Sequence, residues 1–332
     1  MLLSGIAFGA VSIRVNEMYS AIVHFFQGKG AANIYEGVFL QIRLPRVLLC
    51  AITGAILASS GVLMQGLFRN PIVEPGLVGT SAGAAFGASI VFVLAAGMNQ
   101  QFKNIAGPLL VPIFAFGGGL IATYLVYTLS KNMRKVSITS LLLIGIAINA
   151  IGLSGTGFMS YIARDPQARS ITFWNLGTFS GATWMQVIIT AIVAGVIFIL
   201  ALRYAKQLNA LLLGEEEASY LGVDPNRLKR RVMLLNTAMV SVATAFVGVI
   251  SFMGLIVPHV LRLLIGSDNK KLLPASMLAG AILLTLADMG ARLILAPAEI
   301  PIGIITSIIG APIFIILLKK FNILQEKGGF YA

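Results

Sequence analysis

The stretch VLLCAITGAILASSGVLM, residues 47–64, contains no charged side chain, and its reading decides the fold. As an α-helix it covers about 27 Å at 1.5 Å per residue, close to the ~30 Å hydrocarbon core of a bilayer. Comparable uncharged runs recur at 105–129, 187–202, 232–258 and 300–318. Hydrocarbon offers no partner for a backbone N–H or C=O, so only helices and closed barrels cross it. Unbroken apolarity over this length fits helices, because barrel strands alternate apolar with polar residues. The composition agrees: 58% of the 332 residues are hydrophobic and 11% charged, against roughly 25% charged in a soluble domain. An all-α, polytopic membrane protein is expected, forming a single domain over residues 1–332.

Working outward, the spans are read as about 1–11, 46–66, 76–96, 107–129, 138–161, 184–202, 232–251, 252–266, 272–293 and 302–318, ten helices with two of them short. The first span is the weak one. As a helix it reaches roughly 16 Å, so either the chain start is incomplete relative to the natural protein or this shortened helix enters the bundle only partway. Residues 1–13 lack a basic leader and a small-residue cleavage site and do not read as a signal peptide. The single cysteine, Cys50, has no disulfide partner and reads as lipid-facing or as core filler.

The formal net charge is +12. In a soluble protein that would point to nucleic acid, but no basic stripe interleaved with aromatics lies outside the loops, so no nucleic-acid partner is expected. Positive charge reads instead as topology. With the N-terminus inside, eight of the 24 Lys and Arg fall on the outer side (Arg14, Lys29, Arg43, Arg46, Lys103, Arg164, Arg169 and Arg292), and the other sixteen are cytoplasmic. That bias follows the positive-inside rule and places both termini in the cytoplasm. Small residues spaced by four, at Gly79/Gly83/Gly87, Gly5/Gly9, Gly54/Ala58, Gly303/Ser307 and Thr306/Gly310, mark seams where helices approach closely.

The longest polar insertion, residues 203–231, reads RYAKQLNALLLGEEEASYLGVDPNRLKRR. It is expected to hold two short amphipathic helices, one at 215–221 and one starting at Pro225, with Gly222 between them. Pro225 suits the first helical position after Asp224. Glu215, Glu216 and Glu217 suit a helix N-terminus, where the macrodipole favours negative charge. On these grounds alone the first of the two, 215–221, is an ordinary solvated helix.

RLPR at 43–46, NPIVEPGLVGTSAGAAFGA at 70–88, LLLGEEEASYLGV at 211–223, GLIVPHVLRLL at 254–264 and EIPIGIITSIIGAP at 299–312 together resemble the permeases of ABC importers for iron chelates, haem and cobalamin. The motifs run in the family's order over nearly the whole chain. The resemblance implies a ten-helix permease of the inner (plasma) membrane of a bacterium. Its implied partners are a second copy of itself, two ATP-binding cassette subunits that use ATP and Mg, and a periplasmic or surface substrate-binding protein. It assigns ATPase coupling to Glu215, Glu216, Glu217, Ala218, Leu221, Gly222 and Val223. It also implies that Arg43, Arg46 and Arg292 meet acidic side chains of the binding protein; interfacial anchoring is the other reading of these arginines. Thr139 and Ser140 match the position where the family narrows its pathway, or else they cap the helix that follows. Asp288, in LADMGAR, reads as a structural hydrogen-bonding group.

Substrate is addressed by 164–184, RDPQARSITFWNLGTFSGATW, which is similar to haem permeases. Arg169, Phe173, Trp174 and Phe179 suit an anionic planar chelate, though aromatics also anchor at membrane interfaces. His259, within VPHVLR, is a further candidate contact, and His24 lies in an outer segment. Haem ranks first, a ferric siderophore second and cobalamin third. No catalytic or metal-ligating set is expected: there is no H-E-x-x-H, and the G-x-S-x-G at 79–83 falls in a glycine-spaced helix rather than a strand-to-helix elbow. No G-x-x-x-x-G-K-[ST] phosphate loop occurs either, so energy must come from a partner and this chain binds no cofactor of its own. A passive channel or secondary transporter is the alternative of a different class.

Overall fold

The computed structural model describes residues 15–27, 33–95, 100–132 and 135–326. The expected first span, 1–11, and its Gly5/Gly9 pair lie outside them. In chain order the helices are α1 (Val15–Phe26), α2 (Ile34–Val38), α3 (Leu44–Phe68), α4 (Thr80–Leu94), α5 (Gln100–Leu129), α6 (Ile138–Ile162) and α7 (Gln167–Asn175). They continue with α8 (Trp184–Leu213), α9 (Glu215–Tyr220), α10 (Pro225–Val247), α11 (Met253–Ile265), α12 (Asn269–Leu293) and α13 (Ile302–Glu326). Among the described residues the only strands are a two-residue antiparallel ribbon, β1 (Lys131–Asn132) with β2 (Lys135–Val136). Seven described helical segments are long and apolar enough to cross a membrane, and α4 and α11 are shorter apolar helices. Each corresponds to one of the nine expected spans that fall on described residues.

Several boundaries differ from the sequence reading. Helix α8 runs on to Leu213, eleven residues past its expected end, so 203–213 continues a helix rather than opening the polar insertion. Four others have a plain local reason. The helical run of α3 extends back to Ile34 through a single π-helical turn, Phe39–Arg43. The third span does not start at 76: Pro75–Val78 forms a 3-10 turn, and Gly79 at φ +87° stops it before α4 begins. The span expected at 232–251 starts seven residues earlier, because Pro225 opens α10 and no break separates the amphipathic piece from the membrane piece. It ends at Val247, where Gly248 takes φ +78° and an extended segment leads to Phe252 at φ +68°.

The core is built around α3, which packs on α8, α10, α11 and α12. Its middle is rich in small residues, and this lets four neighbours approach. A Cβ on Gly54 would strike the Gly280 carbonyl of α12, and one on Gly61 would strike Gly254 of α11. The expected Gly83/Gly87 seam meets Gly118 and Phe114 of α5 in the same way. Lipid supplies no hydrophobic drive between helices, so such backbone contact and buried hydrogen bonds must hold the bundle. Ser60 Oγ donates to Asn236 Oδ1 at 2.8 Å, Gln65 Nε2 to the Leu255 carbonyl at 3.0 Å, and Thr80 and Thr123 share a hydroxyl pair at 2.8 Å. Cys50 is fully buried, so of its two readings core filler holds.

Candidate functional site

Antiparallel packing of α3 on α12 brings the start of α3 beside the end of α12. There Arg46 and Arg292 meet on Asp288, and Arg43 lies near Arg292. Arg46 uses its whole guanidinium: Nη2 and Nε face Asp288 at 2.9 and 3.2 Å, and Nη1 donates to Glu299 Oε1 and Oε2 at 2.7 and 2.9 Å. Arg292 Nε lies 3.1 Å from the second oxygen of Asp288. The three arginines and Asp288 are each less than a tenth exposed, whereas the Glu299 side chain is 39% exposed. The arginines therefore stand at one end of the bundle as predicted, but as buried side chains rather than a free cationic surface. Asp288 takes the hydrogen-bonding role read for it. Glu299 was quoted within a motif but given no role; nothing in sequence spacing shows that a residue 253 positions away closes the fork of Arg46.

Next to the Glu299 connection, the segment that follows α7, the end of α10 and the first turn of α13 meet. Ile302 and Gly303 donate backbone N–H groups to the carbonyls of Gly177 and Leu176 at 3.1 and 2.9 Å, and Thr178 N–H donates to the Val247 carbonyl at 2.8 Å. A Cβ on Gly303 would strike Leu176, and one on Gly248 would strike the Trp174 carbonyl, so the segments touch backbone to backbone. Beside them lies a cavity of about 570 Å³, whose lining includes Glu74, Ser81, Asn149, Asn175, Ile250 and Ser251. Glu74 Oε1 accepts the Phe252 N–H at 3.0 Å and Asn149 Nδ2 donates to the Leu77 carbonyl at 3.1 Å, which fixes two walls. This cavity between α4, α6 and the 249–251 segment, mainly apolar with a few polar groups, was not foreseen.

The candidate substrate contacts are not all brought together. Arg169 and Phe173 are one helical turn apart on α7 and both exposed. Trp174 is half-buried and packs against Ala84, Ala88, Ala115 and Ala245, while Phe179 is buried in the main core. His259 lies elsewhere, in a crevice with Pro71, Ile72 and Phe314. His24 faces Glu36 Oε2 at 3.0 Å, with Ser20 Oγ donating to the same carboxylate at 2.8 Å.

At the opposite end, α9 turns back on α10. Gly214 starts α9, Gly222 at φ +80° ends its turn, and Val223 N–H returns to the Ala218 carbonyl at 2.9 Å. Ala218 is buried, whereas Glu216, Glu217, Leu221 and Gly222 are exposed, with Tyr220 at 90%. Lys229, which sequence reasoning passed over as one charge in a basic run, is 2% exposed. Its Nζ donates to both oxygens of Glu215 at 2.8 Å and to the Val136 carbonyl at 2.9 Å. One buried cation thus ties α9, α10 and the ribbon into a block. Asp268, which caps α12 nearby, is held below the usual carboxylate range by hydrogen bonds from the Asn209 amide and the Lys270 N–H. Thr139 is exposed and Ser140 half-buried in the first turn of α6. The cap there is Ser137, whose hydroxyl accepts the Ser140 N–H at 3.4 Å, so capping does not account for Thr139 or Ser140.

The FecCD transport family model matches residues 1–320. The hemin transport system permease protein HmuU of Yersinia pestis is 42% identical over 286 residues, 85% of this chain and 83% of that protein. The cobalamin import system permease protein BtuC of Halobacterium salinarum is 40% identical over 303 residues, 91% and 77% of the two chains. A solved inward-facing metal-chelate type ABC transporter superposes with a TM-score of 0.82 at 31% identity, covering 96% of this chain and 95% of that one. Membership implies ATPase and substrate-binding partners, dimerisation and a multi-pass inner-membrane location. The chain belongs to the FecCD transport family, as the permease subunit of an ABC importer whose ATPase is a separate subunit.

Proposed function

We propose that this chain carries haem, or another iron chelate, through a homodimeric permease driven by two ATPase subunits that use ATP and Mg. The observation that carries the reading is the division of labour along the bundle. A cluster of arginines closes one end, a lysine-clamped short helix with exposed Tyr220 and Leu221 projects from the other, and a mainly apolar cavity with a few polar groups lies between. In this reading the arginine end is outer and meets the substrate-binding protein through Arg43, Arg46 and Arg292. Segment 203–231 and both termini are cytoplasmic, and α9 with Gly222 and Val223 seats in the ATPase. Thr139 and Ser140 stand at the cytoplasmic mouth of the pathway. Arg169 and Phe173 are the exposed candidates for substrate contact; Trp174 and His259 are packed and are assigned lower.

Haem is ranked first because a hemin permease shares 42% identity with this chain and because 164–184 resembles the haem-type wording. Cobalamin is the second reading, supported by the cobalamin permease at 40%; a ferric siderophore is the third. The test is uptake by vesicles holding the complete transporter, each candidate being supplied with its binding protein, with and without ATP. Haem uptake that requires ATP is expected. ATP-driven uptake of cobalamin or a siderophore without haem would overturn the substrate ranking, and uptake that ignores ATP would overturn the mechanism.

A further inference from the structure

A docking role for Arg46 meets an obstacle in its own geometry: each of the three nitrogens of its guanidinium already donates to a carboxylate of the same chain. Asp288 holds the Nε and Nη2 side and is buried with it. Glu299 holds Nη1 with both oxygens, and it alone of the two carboxylates is open to solvent. It also sits differently in the chain. Asp288 projects from the next-to-last turn of α12, within the packed helix, where displacement would cost helix packing, whereas Glu299 belongs to the exposed connection between α12 and α13.

We infer that Glu299 is an internal stand-in for the acidic docking partner, occupying the outward side of the Arg46 fork until a carboxylate of the substrate-binding protein replaces it. The inference rests on the docking reading given above and adds its regulation. Exchange of one carboxylate for another on the same guanidinium conserves the ion pair, so Arg46 never stands unpaired and the partner gains only the difference. Docking is thereby made weaker and more selective than an open arginine cluster would allow, because the incoming acid must reach the fork in register to displace the resident one. Release of Glu299 also frees the connection that enters α13. Three residues further on, Ile302 and Gly303 hold the carbonyls of Gly177 and Leu176, beside the cavity that Glu74 and Asn149 border. Displacement at the surface is in this way joined to the segments that wall the cavity.

The test measures equilibrium binding of the purified cognate binding protein to the complete transporter in nanodiscs, across a salt series. Glu299→Gln should tighten association about tenfold, the size of one charge-assisted hydrogen-bond set removed from the competitor. Removing a negative charge would also strengthen attraction in general, so two further variants separate the causes. Glu299→Asp keeps the charge but shortens the reach to Arg46, and should still tighten binding several-fold, roughly half the Gln effect on a logarithmic scale. Asp165→Asn removes an exposed acid that makes no ion pair among the described residues, and should change affinity less than Glu299→Gln. The inference is overturned if Glu299→Asp binds as wild type and Glu299→Gln matches Asp165→Asn. If wild-type association also ignores salt and survives Arg46→Lys unchanged, the docking reading falls with it; if association is salt-sensitive and Arg46→Lys weakens it, only the stand-in falls.

Discussion

The Lys229–Glu215 clamp predicts an asymmetry that is testable without knowing the substrate. Lys229 is 2% exposed and Glu215 40%, so the two ends of one ion pair differ in what is left behind when the other is removed. Lys229→Met keeps the length of the side chain, fills the same space and leaves Glu215 able to turn to water. The loss is the charge-assisted hydrogen bonding, about 1.5–3 kcal/mol for a shielded pair; discounted for the exposure of Glu215 it falls to about 1–2 kcal/mol. Glu215→Ala leaves an ammonium in a buried site with one remaining acceptor, the Val136 carbonyl at 2.9 Å. Breaking a buried pair from that side costs about 3–5 kcal/mol, reduced here by the carbonyl to about 2–4 kcal/mol. Glu215→Ala should therefore lower the melting temperature of the purified transporter more than Lys229→Met, and the double variant should return close to Lys229→Met. Hydrogen exchange should rise across residues 214–223 in both, since α9 loses its anchor to α10. The reasoning fails if Lys229→Met is the more damaging change or if the double variant is additive, because either result means the cation is not the buried, dependent partner.

Other expectations follow from local geometry. Gly222→Val places a β-branched residue at φ +80° in otherwise open space; the strain of about 1–3 kcal/mol falls on the turn alone, so ATPase activity and uptake measured in the same vesicles should uncouple while the bundle stays folded. Gly118→Ala and Gly117→Ala should behave oppositely despite adjacency: a Cβ on Gly118 meets the Gly83 backbone and one on Gly117 meets nothing within 4 Å. Yield of monodisperse protein should collapse for the first and hold for the second, and equal yields would mean that α4 and α5 do not touch through their backbones. Charge reversal at Arg43, Arg46 and Arg292 together should abolish binding-protein association, as read by co-purification. Because Asp288 is buried against two of them, the triple variant should be accompanied by the Asp288→Asn form, whose folding tells loss of docking from loss of structure.

Much of the fold is legible because membrane helices announce themselves by length and lack of charge, and nine expected spans fall on described helices. What was not legible is how helices end inside the bundle. The Asn70–Gly79 stretch is apolar enough to read as helix from 76, but Gly79 in the left-handed region stops it, and Glu74 is drawn inward to cap Phe252, a partner 178 residues away. The same limit applies to charge. Lys229 sits in KRR and resembles its exposed neighbours by any local measure, yet the helical register turns it toward Glu215 and Val136 while Arg230 and Arg231 face out. Motif resemblance located the arginines and the 215–223 segment, but a motif names residues and not their partners; Glu299 and Asp288 are placed on Arg46 only by the antiparallel packing of α3 and α12.

That packing also constrains how the two ends influence each other. Along α3 and α12 the chains touch backbone to backbone at Gly54 and Gly280, and α11 meets α3 in the same manner at Gly254 and Gly61. Helices in such contact cannot slide without first separating, since any residue larger than glycine already fails to fit. The core around α3 is therefore a rigid unit, and a rearrangement during transport must be sought where helices are interrupted: at Pro75–Gly79, at Gly248–Phe252 and at the connection carrying Glu299 into α13. All three border or lead into the cavity with Glu74, Asn149 and Ser251. Packed elements move between discrete arrangements rather than deforming smoothly, and the hydrogen bonds of Ile302, Gly303 and Thr178 to the neighbouring segments are the ones such a step would exchange. Cysteine pairs placed at Thr178 and Ile302 should thus report a distance that changes with nucleotide, while pairs at Ala55 and Ala281, which line one cavity beside the Gly54–Gly280 contact, should not. A change at the α3–α12 seam with none at Thr178–Ile302 would reverse the assignment of rigid and moving parts.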